Sequence, residues 1–188
     1  MERCLVREQG FALVELLVAL AVGGLVVLAT FGLLQQAQQG YLVGVARIEA
    51  QQSARFALQR MAREIRAAGF DPAGADFPAI VNPSATSLTI QKDLNGNGVI
   101  DVNGESITYL LRGTTLRRNA GGGAQPVIEG VQALALTYLD PDGVPTGAPE
   151  RIRTVIIELT VRPDPSLGAR PLETLAVTMQ TQVRLRNR

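Results

Sequence analysis

Gly10-Phe11-Ala12-Leu13-Val14-Glu15-Leu16-Leu17 opens an apolar run that continues to Leu34, and Glu15 is the run's only charged side chain. From Phe11 to Leu34 there are 24 residues. At about 1.5 Å of rise per helical residue they reach roughly 36 Å, enough to cross a hydrocarbon layer of about 30 Å with some tilt. An ionised carboxylate in a bilayer is costly unless a partner meets it, so an acid within such a span reads first as a functional group. A cut between Gly10 and Phe11 would place a new α-amino group at i and i+4 from Glu15, one helical turn away.

Two plainer readings compete for the same residues. Ala19-Leu20-Ala21 resembles a small-residue cleavage site behind the apolar core Phe11 to Val18, as in a secretory signal. That cut would leave Val22 to Leu34 as an apolar tail, and the preceding Glu2, Arg3, Arg7 and Glu8 cancel instead of forming a basic flank. A plain signal anchor accounts for the span but not for the Gly-Phe-x-x-x-Glu spacing. In either membrane-retained case Arg3 and Arg7 precede the span while no Lys or Arg follows until Arg47, which keeps the amino end cytoplasmic.

A short hydrophilic leader ending in Gly10, then Phe11, three apolar residues, Glu15 and a long apolar helix resembles the signature of type IV prepilins and pseudopilins. The resemblance implies a leader over residues 1–10 that a prepilin peptidase removes after Gly10 on the cytoplasmic side. It also implies N-methylation of Phe11 and a role for Glu15 in registering the subunit within a helical fibre. Ala12 stands where the family most often has Thr.

Composition narrows the classes of activity. At 188 residues and 46% apolar composition, the chain can hold one membrane segment and one modest globular domain. Lys plus Arg number 18 against 17 acids, and the leader contains two of each, so the net charge stays at +1 without it. Nothing in that balance favours nucleic acid. Cys4 is the only cysteine and histidine is absent, so a chain cut after Gly10 would have neither disulfide nor thiol. The common zinc ligands and the Ser-His or Cys-His catalytic pairs cannot be assembled, and an enzyme is the least favoured class.

After Leu34 the composition turns to Gln35-Gln36-Ala37-Gln38-Gln39, yet no proline appears before Pro72. One helix is therefore expected from about Phe11 to Ala68, roughly 87 Å if unbroken. Its second half, in a segment 35–70, places Ala54, Leu58, Met61, Ile65 and Ala68 on one stripe that should pack on a sheet. Arg55, Gln59, Arg63 and Arg66 form the opposite, solvated face, and Glu64 with Arg60 offers a weak i, i+4 pair in the less favourable order. Gly23-Gly24, Gly32, Gly40 and Gly44 each lower helix propensity by about 1 kcal/mol in water, while in a bilayer they permit close helix approach or local melting.

Gly69-Phe70-Asp71-Pro72 ends the helix, and Pro72 to Pro83 reads as an irregular connector. Strand patterns follow within 71–188. Leu88 and Ile90 share a face, as do Ile107, Tyr109 and Leu111. Val127 to Leu139, apolar on both faces, suits a central strand. Val155, Ile157, Leu159 and Val161 alternate with Ile156, Glu158, Thr160 and Arg162, and the series Leu175, Val177, Met179, Thr181, Val183, Leu185 alternates more cleanly still. Loops at Gly121-Gly122-Gly123, Asp140-Pro141-Asp142-Gly143 and Pro163-Asp164-Pro165 separate these runs. The result is an α+β arrangement, a long amino-terminal helix packed on an antiparallel sheet.

That order is the pilin architecture. Gln52-Ser53-Ala54-Arg55-Phe56-Ala57-Leu58, Arg63-Glu64-Ile65-Arg66-Ala67-Ala68-Gly69-Phe70, and the Tyr109-Leu110-Leu111 to Leu116-Arg117-Arg118 hairpin before Val127-Ile128-Glu129-Gly130-Val131 look like minor pilins of the PilW class. They overlap with pseudopilin J of type II secretion. The resemblance implies an inner-membrane prepilin with a periplasmic head, later on the pilus or cell surface. Its partners would be prepilin peptidase, the major pilin, other minor pilins, the inner-membrane assembly platform and, before assembly, membrane lipid. A single-pass sensor or adhesin that keeps its leader is the alternative from another class.

Asp93-Leu94-Asn95-Gly96-Asn97-Gly98-Val99-Ile100-Asp101 matches the first nine positions of an EF-hand-type loop. Oxygen ligands would come from Asp93, Asn95, Asn97, the Val99 carbonyl and Asp101. Gly104 stands at the twelfth position and Glu105 one residue later, so the closing acid is displaced. A tight hairpin turn built on two Asn-Gly steps explains the same residues. No cofactor is required by the sequence, and calcium at this loop is the one it offers.

Overall fold

The structure is a computed structural model that describes residues 13–164, 166 and 175–187. Helix α1 spans Leu13–Ala67 as one unbroken α-helix. It runs through Gly23, Gly24, Gly32, Gly40 and Gly44 without interruption, because no proline removes a backbone donor along its length. Two compact units divide between Leu42 and Val43.

In the first unit, every side chain from Leu13 to Tyr41 is exposed within the chain. Thr30, the other polar residue of the apolar run, returns its hydroxyl to the Val26 carbonyl at 2.7 Å. That bond satisfies the hydroxyl inside the helix and leaves an apolar exterior.

The second unit begins where α1 acquires a buried side. Ala46, Ala50, Ala54, Ala57, Leu58, Met61, Ala62 and Ile65 are buried, including the helical members of the expected stripe. Alanines dominate the upper half of this stripe, so the helix backbone can approach its neighbours closely before Met61 and Ile65 supply bulk. Gly69 terminates the helix with φ +73°, a left-handed conformation suited to glycine. Asn187 donates its side-chain amide to the Ala67 and Ala68 carbonyls at 3.4 and 3.3 Å, satisfying acceptors left at the helix end.

Among the described residues eight strands follow, in two antiparallel sheets. The first sheet has the order β1-β2-β3-β4-β5, with β1 Ile80–Val81, β2 Ser87–Gln91, β3 Ser106–Arg112, β4 Thr115–Asn119 and β5 Ala124–Ile128. The second contains β6 Val131–Leu139, β7 Thr154–Val161 and β8 Val177–Arg184 in that order. The β3–β4 hairpin pairs Tyr109 with Arg118 and Leu111 with Leu116. Leu88, Ile90, Ile107, Tyr109, Val155, Ile157, Leu159, Val161 and Val183 all lie in the core, as period-two patterning requires. The connector expected to be irregular contributes the short strand β1, which pairs Ile80 with Ile90.

Residues 127–139 are not one central strand. They are divided between β5 and β6, which belong to different sheets, and β6 is an edge while β7 is central. Gly130 causes the division: its φ is +75°, and a Cβ there would collide with the Arg162 carbonyl. Arg162 N also donates to the Gly130 carbonyl at 2.8 Å, fixing that close approach. An apolar run thus changes sheets at a residue that needs no side chain.

The sheets are stitched by Tyr138. Its hydroxyl is 2.8 Å from the Ser84 carbonyl and 3.1 Å from that of Ser87, and the backbone adds Leu136 N to Ala85 O at 2.9 Å. Burial pushes the Tyr138 hydroxyl up to about 12, with a hydrogen bond from Ser84 N opposing the shift. Helix and first sheet are joined by a second polar clasp. Glu64 accepts the Tyr109 hydroxyl at 2.7 Å and pairs with Arg118 Nε at 3.0 Å. Glu64 therefore works across 54 residues of sequence instead of pairing with Arg60 on its own helix. Burial first, then the Glu64 hydrogen bond, pushes the Tyr109 hydroxyl upward.

Candidate functional site

Two regions hold the residues singled out by the sequence. Gly10 and Phe11 lie outside the described residues. Glu15 lies in the first described turn of α1. Around it Leu13, Val14, Leu16, Leu17 and Val18 are all exposed. The described helix includes a segment long and apolar enough to cross a membrane. Gly23, Gly24 and Gly32 have open space around a built Cβ, so no contact within the chain demands glycine at these positions.

The 93–105 loop lies between β2 and β3. Asp93 is buried, and its two carboxylate oxygens accept Gly96 N at 2.7 Å and Gly98 N at 2.9 Å. Glu105, also buried, accepts Leu94 N and Asn95 N on Oε1 at 2.8 and 3.1 Å, and Asp101 N on Oε2 at 2.9 Å. Asn95 and Asn97 each cap the backbone two residues on, at 2.9 and 2.8 Å. Gly96 and Gly98 take φ values of +74° and +72°.

These contacts explain the displaced acid. Gly104 adopts φ +85° and donates its N–H to the Ala120 carbonyl at 2.9 Å, so the closing carboxylate comes from Glu105. Hydrogen bonds from Asp101 N, opposed by burial, together with those from Leu94 N and Asn95 N and the charge of Lys92, hold the Glu105 carboxyl below its ordinary range. Asp93 and Glu105 thus converge on backbone donors, whereas Asn95, Asn97, Val99 and Asp101 are exposed around them. Among the described residues no group of three or more Asp, Glu, His or Cys side chains is gathered to hold a metal. A cation here would share oxygens that already accept backbone N–H groups.

Sequence reasoning missed the Glu64–Tyr109–Arg118 clasp. The available signal was Glu64 itself, the only acid among Arg60, Arg63 and Arg66 on a strongly basic turn of helix.

Comparison with known proteins bears on the amino-terminal region. The prokaryotic N-terminal methylation motif matches residues 5–31, covering Gly10, Phe11, Glu15 and most of the apolar run. No curated protein matches the chain. In this motif, and in its long helix and antiparallel sheets, the chain is similar to type IV pilin-like proteins.

Proposed function

We propose that this chain is a minor pilin of the PilW-like class, a subunit that enters a type IV pilus or its initiating complex by helix packing. The observation that carries the reading is the methylation motif over 5–31, continuous with a helix that holds Glu15 in its first described turn. Residues 1–10 are the leader, 11–34 the membrane and fibre-core segment, 35–70 the helix entering the head and 71–188 the head. Prepilin peptidase cuts after Gly10, Phe11 carries the methylated amine and Glu15 supplies its countercharge. Glycines whose Cβ positions are open within the chain support close approach by neighbouring helices. The subunit sits in the inner membrane, amino end cytoplasmic and head periplasmic, before it joins the fibre with the major pilin and other minor pilins.

Mass spectrometry of the membrane-extracted chain tests this directly: the mature chain should begin at methylated Phe11. A first residue elsewhere would overturn the proposal. A type II secretion pseudopilin is the second reading, favoured by the same motif, and adjacent secretion-channel genes would select it. Calcium at Asp93, Asn95, Asn97, Val99, Asp101 and Glu105 is a separate proposal that rests on their spacing. Isothermal titration of the full chain in detergent tests it, and no heat with calcium would remove it.

A further inference from the structure

All three Asn-Gly steps of the chain fall within residues 93–105: Asn95-Gly96, Asn97-Gly98 and Asn103-Gly104. Such a step is open to attack from within, because glycine has no Cβ to hold its nitrogen away from the preceding carboxamide. In that reaction the glycine nitrogen gives up its proton and bonds to the asparagine Cγ, and the carboxamide nitrogen leaves as ammonia. Water then opens the cyclic imide at either carbonyl, giving Asp or its β-linked isomer. The balance is one water consumed and one ammonia released, with no oxidant, reductant or enzyme.

Exposure does not rank the three steps, since Asn95, Asn97 and Asn103 are all exposed. Hydrogen bonding does. Gly96 N and Gly98 N, the nitrogens that would attack at the first two steps, both donate to the buried Asp93 carboxylate, at 2.7 and 2.9 Å. Removing a proton from either would set an amide anion against a carboxylate, and like charges at that separation repel strongly. The groups under attack are held as well: Asn95 Oδ1 accepts Asn97 N at 2.9 Å, and Asn97 Oδ1 accepts Val99 N at 2.8 Å.

The third step lacks both restraints. Gly104 N donates to the neutral Ala120 carbonyl at 2.9 Å. No hydrogen bond joins the Asn103 carboxamide to a described residue, and its Oδ1 fills the space that a Cβ on Gly121 would take. We propose that Asn103 is a site of spontaneous deamidation, and that Asp93 withholds the same reaction from Asn95 and Asn97. The product places a further carboxylate between Asp101 and Glu105. Its β-linked form also lengthens the backbone ahead of Gly104, whose positive φ presents Glu105 to the loop. This inference is independent of whether the chain enters a fibre.

Peptide mapping of the full-length protein tests it. Trypsin releases residues 93–112 as one peptide, between Lys92 and Arg112, and fragmentation assigns each conversion of carboxamide to carboxyl. The folded chain is held in uncharged detergent, mildly alkaline buffer and excess chelator, beside the same peptide released beforehand. In the free peptide the three steps should convert at similar rates. In the folded chain Asn95 and Asn97 should be slower than Asn103 on the order of tenfold or more, the factor that one charge-assisted hydrogen bond contributes. Asp93→Asn should raise conversion at Asn95 and Asn97 several-fold and leave Asn103 unchanged. Should Asn103 rise with them, the loop has opened in the variant and the ranking in the wild-type chain decides. Equal rates at the three steps of the folded wild-type chain, or Asn95 and Asn97 converting first, would overturn the proposal. Slower conversion in Asp93→Asn would overturn the protecting role, because the carboxylate would then be acting as a base.

Discussion

The two stretches of α1 share a backbone and differ in what their side chains meet. Through Tyr41 every described residue is exposed, and most are Leu, Val, Ala or Gly. From Ala46 the helix buries a narrow, alanine-rich side and presents arginines on the other. A soluble core selects one face of a helix, whereas a surrounding lipid or a ring of like helices accepts an apolar residue at any angle. Regular helix geometry is therefore compatible with both surroundings, and substitutions should behave oppositely in the two stretches.

The largest contrast should come from Glu15→Ala. Incorporation into fibres should fall on the order of tenfold or more if the acid answers an amine created by processing, with head melting unchanged. Unaltered piliation in a strain that depends on this subunit would break the functional half of the comparison. Next, Met61→Ala or Ile65→Ala should destabilise the head by about 2–5 kcal/mol, since both side chains are fully buried, while Leu17→Ala leaves its melting curve in place. Equal effects at positions 17 and 65 would remove the distinction between the stretches.

Smaller effects sharpen the second stretch. Gly130→Ala should cost roughly 1–3 kcal/mol, because it meets both a positive φ and the Arg162 carbonyl, and thermal denaturation measures it. Tyr109→Phe, which removes one hydrogen bond to Glu64, should cost about 1 kcal/mol. The mildest effect is an acid dependence confined to the 93–105 loop. The Glu105 carboxyl sits below its ordinary range in the fold, so its contribution is present above the unfolded value and lost as pH falls through the folded one. Amide exchange at Leu94, Asn95 and Asp101 should accelerate there relative to other loops, and Glu105→Gln should remove that difference.

The sequence disclosed elements whose causes are local. Pro72 and Gly69 bound the helix, the 4-3-4-3 stripe marked its buried side, and period-two alternation identified the faces of β2, β3, β7 and β8. The residues 127–139 were misleading because apolarity on both faces fits a central strand and also fits two strands of different sheets. Only the meeting of Gly130 with Arg162, 32 positions onward by number, separates the two cases. Glu64 and Asn187 were illegible for the same reason, since their partners lie 54 and 120 residues away in the chain. At the 93–105 loop the spacing was visible, but the turn of Asp93 and Glu105 toward amide protons depended on Gly104 adopting a positive φ.

The placement of tyrosine has an optical consequence. The chain contains no tryptophan and three tyrosines. Of these, Tyr109 closes the helix against the first sheet and Tyr138 closes one sheet against the other. Near-ultraviolet absorbance is therefore an intrinsic gauge of both seams. In an alkaline titration an intact head should retain Tyr138 as phenol up to about 12, and its stability should decline between the ordinary tyrosine value near ~10 and that point. Early phenolate formation at Tyr109 and Tyr138 would identify a head whose layers had parted, with no label attached.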